Sequence, residues 1–259
     1  MSTAAINPKG PRVYAAGNTP AAWASTYLTS TVGQKILVGT TGLLLVGFLI
    51  GHMIGNLKVF SGPESLNRYA YFLKHDIGAL LWIARAGLLA LFVTHVVLAL
   101  YLKRKAAVAR PVGYHKYRTA QASLPSKTML WTGLVTLAFT VFHLAHYTFG
   151  WAHGATLADG TVVNYLDLPY TLADGTVVHD VYRMVLAGFG TPWISALYVV
   201  CQLLLFIHLG HGIQSALQTL GLVGKRFTPA AKALGWAVAG TIFVGNLAIV
   251  VAVWAGYVK

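Results

Sequence analysis

The chain has 259 residues, 56% hydrophobic and only 10% charged, and its 19 Lys and Arg against 6 Asp and Glu give a net charge of +13. A soluble globular domain carries about a quarter charged residues, so this balance excludes one and points to an all-α integral membrane protein, for which a single helical domain suffices. The cations flank apolar segments, the placement of membrane orientation and contact with anionic lipid headgroups, so membrane lipid is an expected partner and nucleic acid is not.

Residues 1–32 are polar, with Gly, Pro and Asn scattered through NPKGPR and GNTP. No apolar core with a small-residue cleavage site precedes residue 33, so a cleaved secretory signal is not expected. Trp23 and Tyr27 suit the membrane surface as interfacial anchors. Five stretches then reach the roughly 20 residues needed to span a bilayer. They lie near 33–57, 79–102, 128–150, 193–217 and 233–257. Backbone polar groups in lipid must pair internally, so each is expected to be a helix, and 33–257 reads as one five-helix transmembrane domain. The single cysteine, Cys201, lies inside an apolar run and reads as a small packing residue. No CxxC or CxxCH motif occurs, so any haem here is held non-covalently.

Loop charge sets the expected orientation. The N-terminal segment carries Lys9, Arg12 and Lys35, the second loop Lys103, Arg104, Lys105, Arg110, Lys116, Arg118 and Lys127, and the fourth loop Lys225, Arg226 and Lys232. The opposite side carries Lys58, Arg68, Lys74, Arg85, Arg183 and Lys259, with all six acids: Glu64, Asp76, Asp159, Asp167, Asp174 and Asp180. The positive-inside rule places the N-terminus in the cytoplasm and the C-terminus outside. The third loop, an external insertion over 151–190, repeats TLADGTVV at 156–163 and 171–178. Each copy sets an Asp-Gly turn signal beside a β-branched run, so a partly β-structured surface loop is expected.

Four histidines, His52, His95, His143 and His208, fall inside apolar spans, where an ionisable residue is costly and usually functional. With the N-terminus inside, helices 1 and 3 run outward and put His52 and His143 in the outer half. Helices 2 and 4 run inward and put His95 and His208 in the inner half. At 1.5 Å per residue each lies roughly 5–10 Å from the midplane. Two depths with two histidines each is an arrangement for two haems b, each bridging two helices through its iron. Gly47, Gly51 and Gly55, at four-residue spacing beside His52, would let a flat macrocycle or another helix approach. His146 and His211 lie one turn from His143 and His208 and are candidate propionate or quinone contacts. His75, His115, His153 and His179 are expected to be solvated loop residues.

QKILVGTTGLLLVGFLIGHMIGN, LLALFVTHVVLALY, WTGLVTLAFTVFHLAHYTF and LLLFIHLGHGIQSALQTLGL resemble the cytochrome b membrane-anchor subunit of succinate:quinone oxidoreductases, in its single-chain, five-helix, two-haem type. The likeness covers roughly 33–257 without the 151–190 loop, and IHLGHGIQS and the GHM of helix 1 carry most of it. The resemblance implies that His52 and His143 ligate the distal haem iron and His95 and His208 the proximal one. It further implies a bacterial cytoplasmic membrane, a flavoprotein and an iron–sulfur subunit on the cytoplasmic side, and membership of a larger oligomer. Electrons would pass from succinate through those subunits and the haems to a quinone, menaquinone in most two-haem members. The chain itself has no catalytic residue for succinate. No motif locates the quinone site. Asn56, Lys58, Glu64, His75, Asp76 and His146 are outer candidates for a hydrogen bond or proton, and Arg118, Ser126, Lys127, His211 and Gln214 inner ones. The competing readings are a cytochrome b subunit of a hydrogenase or formate dehydrogenase, and a haem-free transporter with histidine relays.

Overall fold

A computed structural model describes residues 19–109 and 122–259. Lys9, Arg12, Arg110, His115, Lys116 and Arg118 lie outside the described residues. Within them, five helical segments are long and apolar enough to cross a membrane: Thr31–Ser61, Gly78–Val108, Leu124–Thr148, Pro192–Thr219 and Lys225–Trp254. The architecture is all-α apart from two small hairpins.

The chain before the first span is not simply an irregular tail. Helix α1 covers Pro20–Thr29, started by Thr19, whose hydroxyl accepts from the Ala22 amide at 3.2 Å, and by Pro20 at the first position, where no amide is needed. Ser30 then caps α2 (Thr31–Asn56) by accepting from the Gly33 amide at 3.0 Å. Trp23 and Tyr27 stack at 5.5 Å and are exposed, as an interfacial pair would be.

After a 3-10 turn at Leu57–Ser61, Gly62 takes φ +87° and Pro63 opens α3 (Pro63–Tyr71), a helix the hydropathy pattern did not announce. A π-helical turn at Phe72–Asp76 leads into α4 (Gly78–Val108). Ser123 caps α5 (Leu124–His143), which continues as a second π-helical turn over Leu144–Thr148. In the following loop β1 (Gly154–Thr156) pairs antiparallel with β2 (Val162–Asn164), and β3 (Pro169–Thr171) with β4 (Val177–His179). The TLADGTVV repeat is therefore one structure made twice. Asp159 accepts from the Thr161 amide and Asp174 from the Thr176 amide, each at 2.9 Å. Gly160 and Gly175 take φ of +83° and +85°, the left-handed residue that a three-residue hairpin loop needs.

A short apolar helix, α6 (Val181–Gly190), also unannounced, closes the loop. It precedes α7 (Pro192–Thr219) and α8 (Thr228–Trp254). The Phe189 carbonyl at its end accepts from Ser195 Oγ at 2.6 Å and Trp254 Nε1 at 2.8 Å, joining α6, α7 and α8.

Helix α7 is the centre of the bundle, packing on α2, α5 and α8, while α4 packs on α2. Small residues permit this: a Cβ on Gly210 would stand 2.5 Å from the Trp236 ring, and one on Gly235 2.8 Å from the Gly210 carbonyl. Such close backbone approach replaces the hydrophobic drive that is absent between helices in lipid. Along α4 no residue is buried, and its Leu80, Trp82, Ile83 and Leu89 are widely exposed, as a lipid-facing helix requires.

The segments after α2 and α5 and the C-terminus share one end of the bundle. Asn67, fully buried on α3, donates to Asp180 at 3.1 Å and accepts from the Tyr182 amide at 2.9 Å. Arg68 pairs with Glu64 at 3.1 Å and Asp174 at 3.0 Å. Tyr182 donates to the Lys259 carbonyl at 3.0 Å.

Candidate functional site

His95 and His208 each set Nδ1 beside a threonine hydroxyl. His95 of α4 places Nδ1 3.1 Å from the Val38 carbonyl oxygen and 3.3 Å from Thr41 Oγ1 of α2. His208 of α7 places Nδ1 3.2 Å from Thr132 Oγ1 of α5. A carbonyl can only accept, so in a neutral His95 ring the proton sits on Nδ1, facing Val38, and Nε2 keeps its lone pair. The threonines use their own protons on the preceding turn, Thr41 on the Leu37 carbonyl at 2.7 Å and Thr132 on the Thr128 carbonyl at 3.2 Å. The adjacent glycine gives each ring its room. A Cβ on Gly42 would lie 3.0 Å from His95 Cε1, and one on Gly133 3.2 Å from His208 Cε1. This is the outer-shell support that fixes tautomer and orientation in a metal-binding histidine.

The equivalence is written in the chain. TGLLLVGFLIGH (41–52) and TGLVTLAFTVFH (132–143) share Thr, Gly, Leu, Phe and His at the same five positions. Phe48 stacks on His52 at 5.4 Å, and Phe139 lies against His143 at 5.9 Å. The pairs α2–α4 and α5–α7 are thus two copies of one hairpin, running the same way. Thr41 and Thr132 carry no titratable group and so stand outside the histidine candidates that the sequence singles out. The spacing T-G-L-x4-F-x3-H, seen twice, was the signal that marks them.

At the far end of the same helices His52 and His143 meet edge to face, with ring centroids 5.7 Å apart. Two imidazoles sharing one metal at about 2 Å per nitrogen have centroids about 6 Å apart, so this spacing suits a shared iron. Along α2, His52 is 11 residues beyond Thr41, which puts the two histidine levels about 16 Å apart at 1.5 Å per residue. The residues therefore fit two iron-centred groups, with histidines at two depths, His52 and His143 in contact at one of them, and the His95 ring fixed to present Nε2.

The glycines that crowd the histidines are Gly42 and Gly133, not the Gly47, Gly51 and Gly55 series. A Cβ on Gly47 or Gly51 meets nothing within 4 Å, while Gly55 makes room for the Tyr69 ring at 2.8 Å.

The His52–His143 level continues into a polar chain. His143 Nδ1 lies 3.1 Å from Tyr198 Oη, which lies 2.9 Å from His146 Nδ1. His146 Nε2 lies 3.0 Å from Nδ1 of His153. His146 is 0% exposed. His153, expected in solvent, is instead drawn inward between His146 and the Tyr165 ring, 4.7 Å away, because the β1–β2 hairpin and α6 close over it. Burial lowers its proton affinity, opposed by the Met184 carbonyl.

The remaining candidates are placed as follows. Glu64 accepts from Arg68 and, at 3.2 Å, from the Ala173 amide, tying α3 to the second hairpin. His75 is exposed and stacks on Tyr71 at 4.3 Å, with Asp76 exposed beside it, and His179 is exposed on β4. Lys58 lies over the Tyr69 ring at 5.4 Å, and Asn56 ends α2. On α7, His211 and Gln214 are half-buried, Gln214 beside Gly235 of α8. Ser126 and Lys127 are exposed in the first turn of α5. No family model, no curated protein and no solved structure matches this chain.

Proposed function

We propose that this chain is the membrane-anchor cytochrome b subunit of a succinate dehydrogenase or fumarate reductase, carrying electrons between an iron–sulfur subunit and a membrane quinone through two bis-histidine haems b. The observation that carries the reading is the repeated cradle, Val38–Thr41–Gly42 around His95 and Thr132–Gly133 around His208, together with the His52–His143 contact at a second level.

When bound, each haem would supply a one-electron carrier held by two histidines and suited to electron transfer. His95 and His208 would hold the inner group and His52 and His143 the outer one. The Val38 carbonyl would keep the His95 ring in the binding tautomer, Thr41 and Thr132 would orient the His95 and His208 rings, and Phe48 and Phe139 pack beside His52 and His143. Glu64, His146, His211 and Gln214 are proposed as quinone or propionate contacts. The reading places the protein in a bacterial cytoplasmic membrane, N-terminus inside. The flavoprotein and iron–sulfur subunits would dock on the basic side, and menaquinone or a related quinone would be the substrate. The whole complex would be the enzyme, since nothing in this chain resembles a flavin or iron–sulfur site.

A reduced-minus-oxidised spectrum of the purified protein, with a pyridine haemochrome assay, tests this. Two b haems per chain are expected, one lost in His52→Ala and the other in His95→Ala. A well-folded complex without haem refutes it, and copurification with a hydrogenase or formate dehydrogenase instead of a flavoprotein moves the chain to that assembly.

A further inference from the structure

We infer that Tyr198 is a positioning residue for His143: its hydroxyl holds the ring through Nδ1 and so leaves Nε2 for the metal. The inference rests on the proposed haem-binding role of His143. Tyr198 Oη on α7 lies 3.1 Å from Nδ1 of His143, at the end of α5. The same contact occurs at two other histidines. Thr41 Oγ1 lies 3.3 Å from His95 Nδ1, and Thr132 Oγ1 3.2 Å from His208 Nδ1. In all three a hydroxyl oxygen from a neighbouring helix meets Nδ1. His52 has the Phe48 ring beside it and, among the described residues, no hydroxyl on either nitrogen. Tyr198 therefore braces the His52–His143 level through one of its two rings.

A hydroxyl carries one proton and can accept while it donates. Thr41 and Thr132 spend theirs on carbonyls one turn back. The phenolic hydroxyl of Tyr198 stands too far from its own backbone for that. Its second partner is His146 Nδ1, at 2.9 Å. With His143 bound through Nε2, its proton is on Nδ1 and donates to Tyr198, and the Tyr198 proton goes to His146. His146 thus takes the place of the threonines' carbonyls. It is 0% exposed, and Gly188 of α6 makes its room, since a Cβ there would lie 3.0 Å from His146 Cε1 and Nε2.

The brace is itself held still. Tyr198 is 5% exposed, and its ring lies edge-on to Phe139 at 5.0 Å and to Phe189 at 5.1 Å. Phe189 ends α6, whose carbonyl there is fixed by Ser195 and Trp254. Packing alone would be served more cheaply by phenylalanine, because a hydroxyl at that depth must be desolvated. The bond to Nδ1 does two things for a metal-binding ring. It selects the tautomer and the ring orientation, and it makes Nε2 a stronger electron donor. A stronger donor favours the oxidised, more positive iron, so this bond holds the reduction potential down while it tightens binding.

The test is Tyr198→Phe in the intact complex, which keeps the ring and removes only the hydroxyl. At limiting haem, affinity at the His52–His143 level should fall about 10- to 100-fold. With haem in excess, the haem that His52→Ala removes should show a higher reduction potential at one fixed pH, and the other haem an unchanged one. A purely structural tyrosine would lower the melting temperature and leave the potential and affinity of that haem where they were. That result overturns the inference while the haem reading stands. A wild type without haem overturns both. Should Tyr198→Phe fail to assemble, side-chain 15N spectra of the reduced wild-type complex decide. A His143 proton on Nδ1, hydrogen-bonded to Tyr198, supports the inference, and a His143 protonated on Nε2 or unbonded at Nδ1 overturns it.

Discussion

Gly42→Ala is the smallest change that separates a cradle built for His95 from incidental helix packing. The added methyl would stand 3.0 Å from His95 Cε1, against about 3.5–4.0 Å for carbon atoms in comfortable contact. The ring must retreat by roughly 0.5 Å or more. Its Nδ1 is tied at 3.1 Å to Val38 and 3.3 Å to Thr41, and a hydrogen bond stretched to about 3.6 Å no longer counts as one. Overpacking of this kind costs about 1–3 kcal/mol. On the proposed two-haem reading, at about 1.4 kcal/mol per tenfold, haem affinity at the His95 level should fall roughly 5- to 150-fold. The outer level, about 16 Å away, should be untouched. Gly133→Ala should act in the same direction more weakly, its methyl lying 3.2 Å from His208. Gly87→Ala on α4, where a Cβ meets nothing within 4 Å, is the control. The assay is haem per chain at limiting haem, the surviving group being identified by its reduced spectrum. Retention of both haems at unchanged affinity in Gly42→Ala, or loss of the outer one, would refute the reasoning.

Asn67→Ala removes two buried hydrogen bonds that join α3 to α6 and strands the Tyr182 amide, at about 1–3 kcal/mol for the unsatisfied group. Its thermal midpoint in detergent should fall, and proteolysis should begin in 150–180 and not in the spans. Asp174 is held at about 2, first by the Thr176 amide and hydroxyl and then by Arg68. Since its folded pKa lies below the unfolded value, its contribution is present above about pH 4 and lost as pH falls toward 2. Protease resistance of the second hairpin should fade in that window, and Arg68→Ala should move the loss to higher pH. Gly210→Ala drives a methyl into the Trp236 ring and should destabilise the α7–α8 contact by about 1–3 kcal/mol, read as a lower melting temperature with haem content retained until unfolding.

Composition alone determined that five long helices would form, because runs of about 20 apolar residues in lipid have only one way to satisfy their backbone. The hairpin pair was equally legible: Asp-Gly and the flanking Thr and Val impose the turn locally, and the identical copies fold alike. The four intramembrane histidines stood out by their cost. Tertiary structure alone decided their partners. Thr41 is 54 residues from His95, and Tyr198 is 55 from His143. Membrane helices are apolar all round, so periodicity does not reveal which face turns inward. Helices α3 and α6 and the burial of His153 escaped for a related reason. They are short, and their stability comes from contacts such as Asn67 with Asp180, and His146 with His153, which exist only once distant segments gather at one end of the bundle.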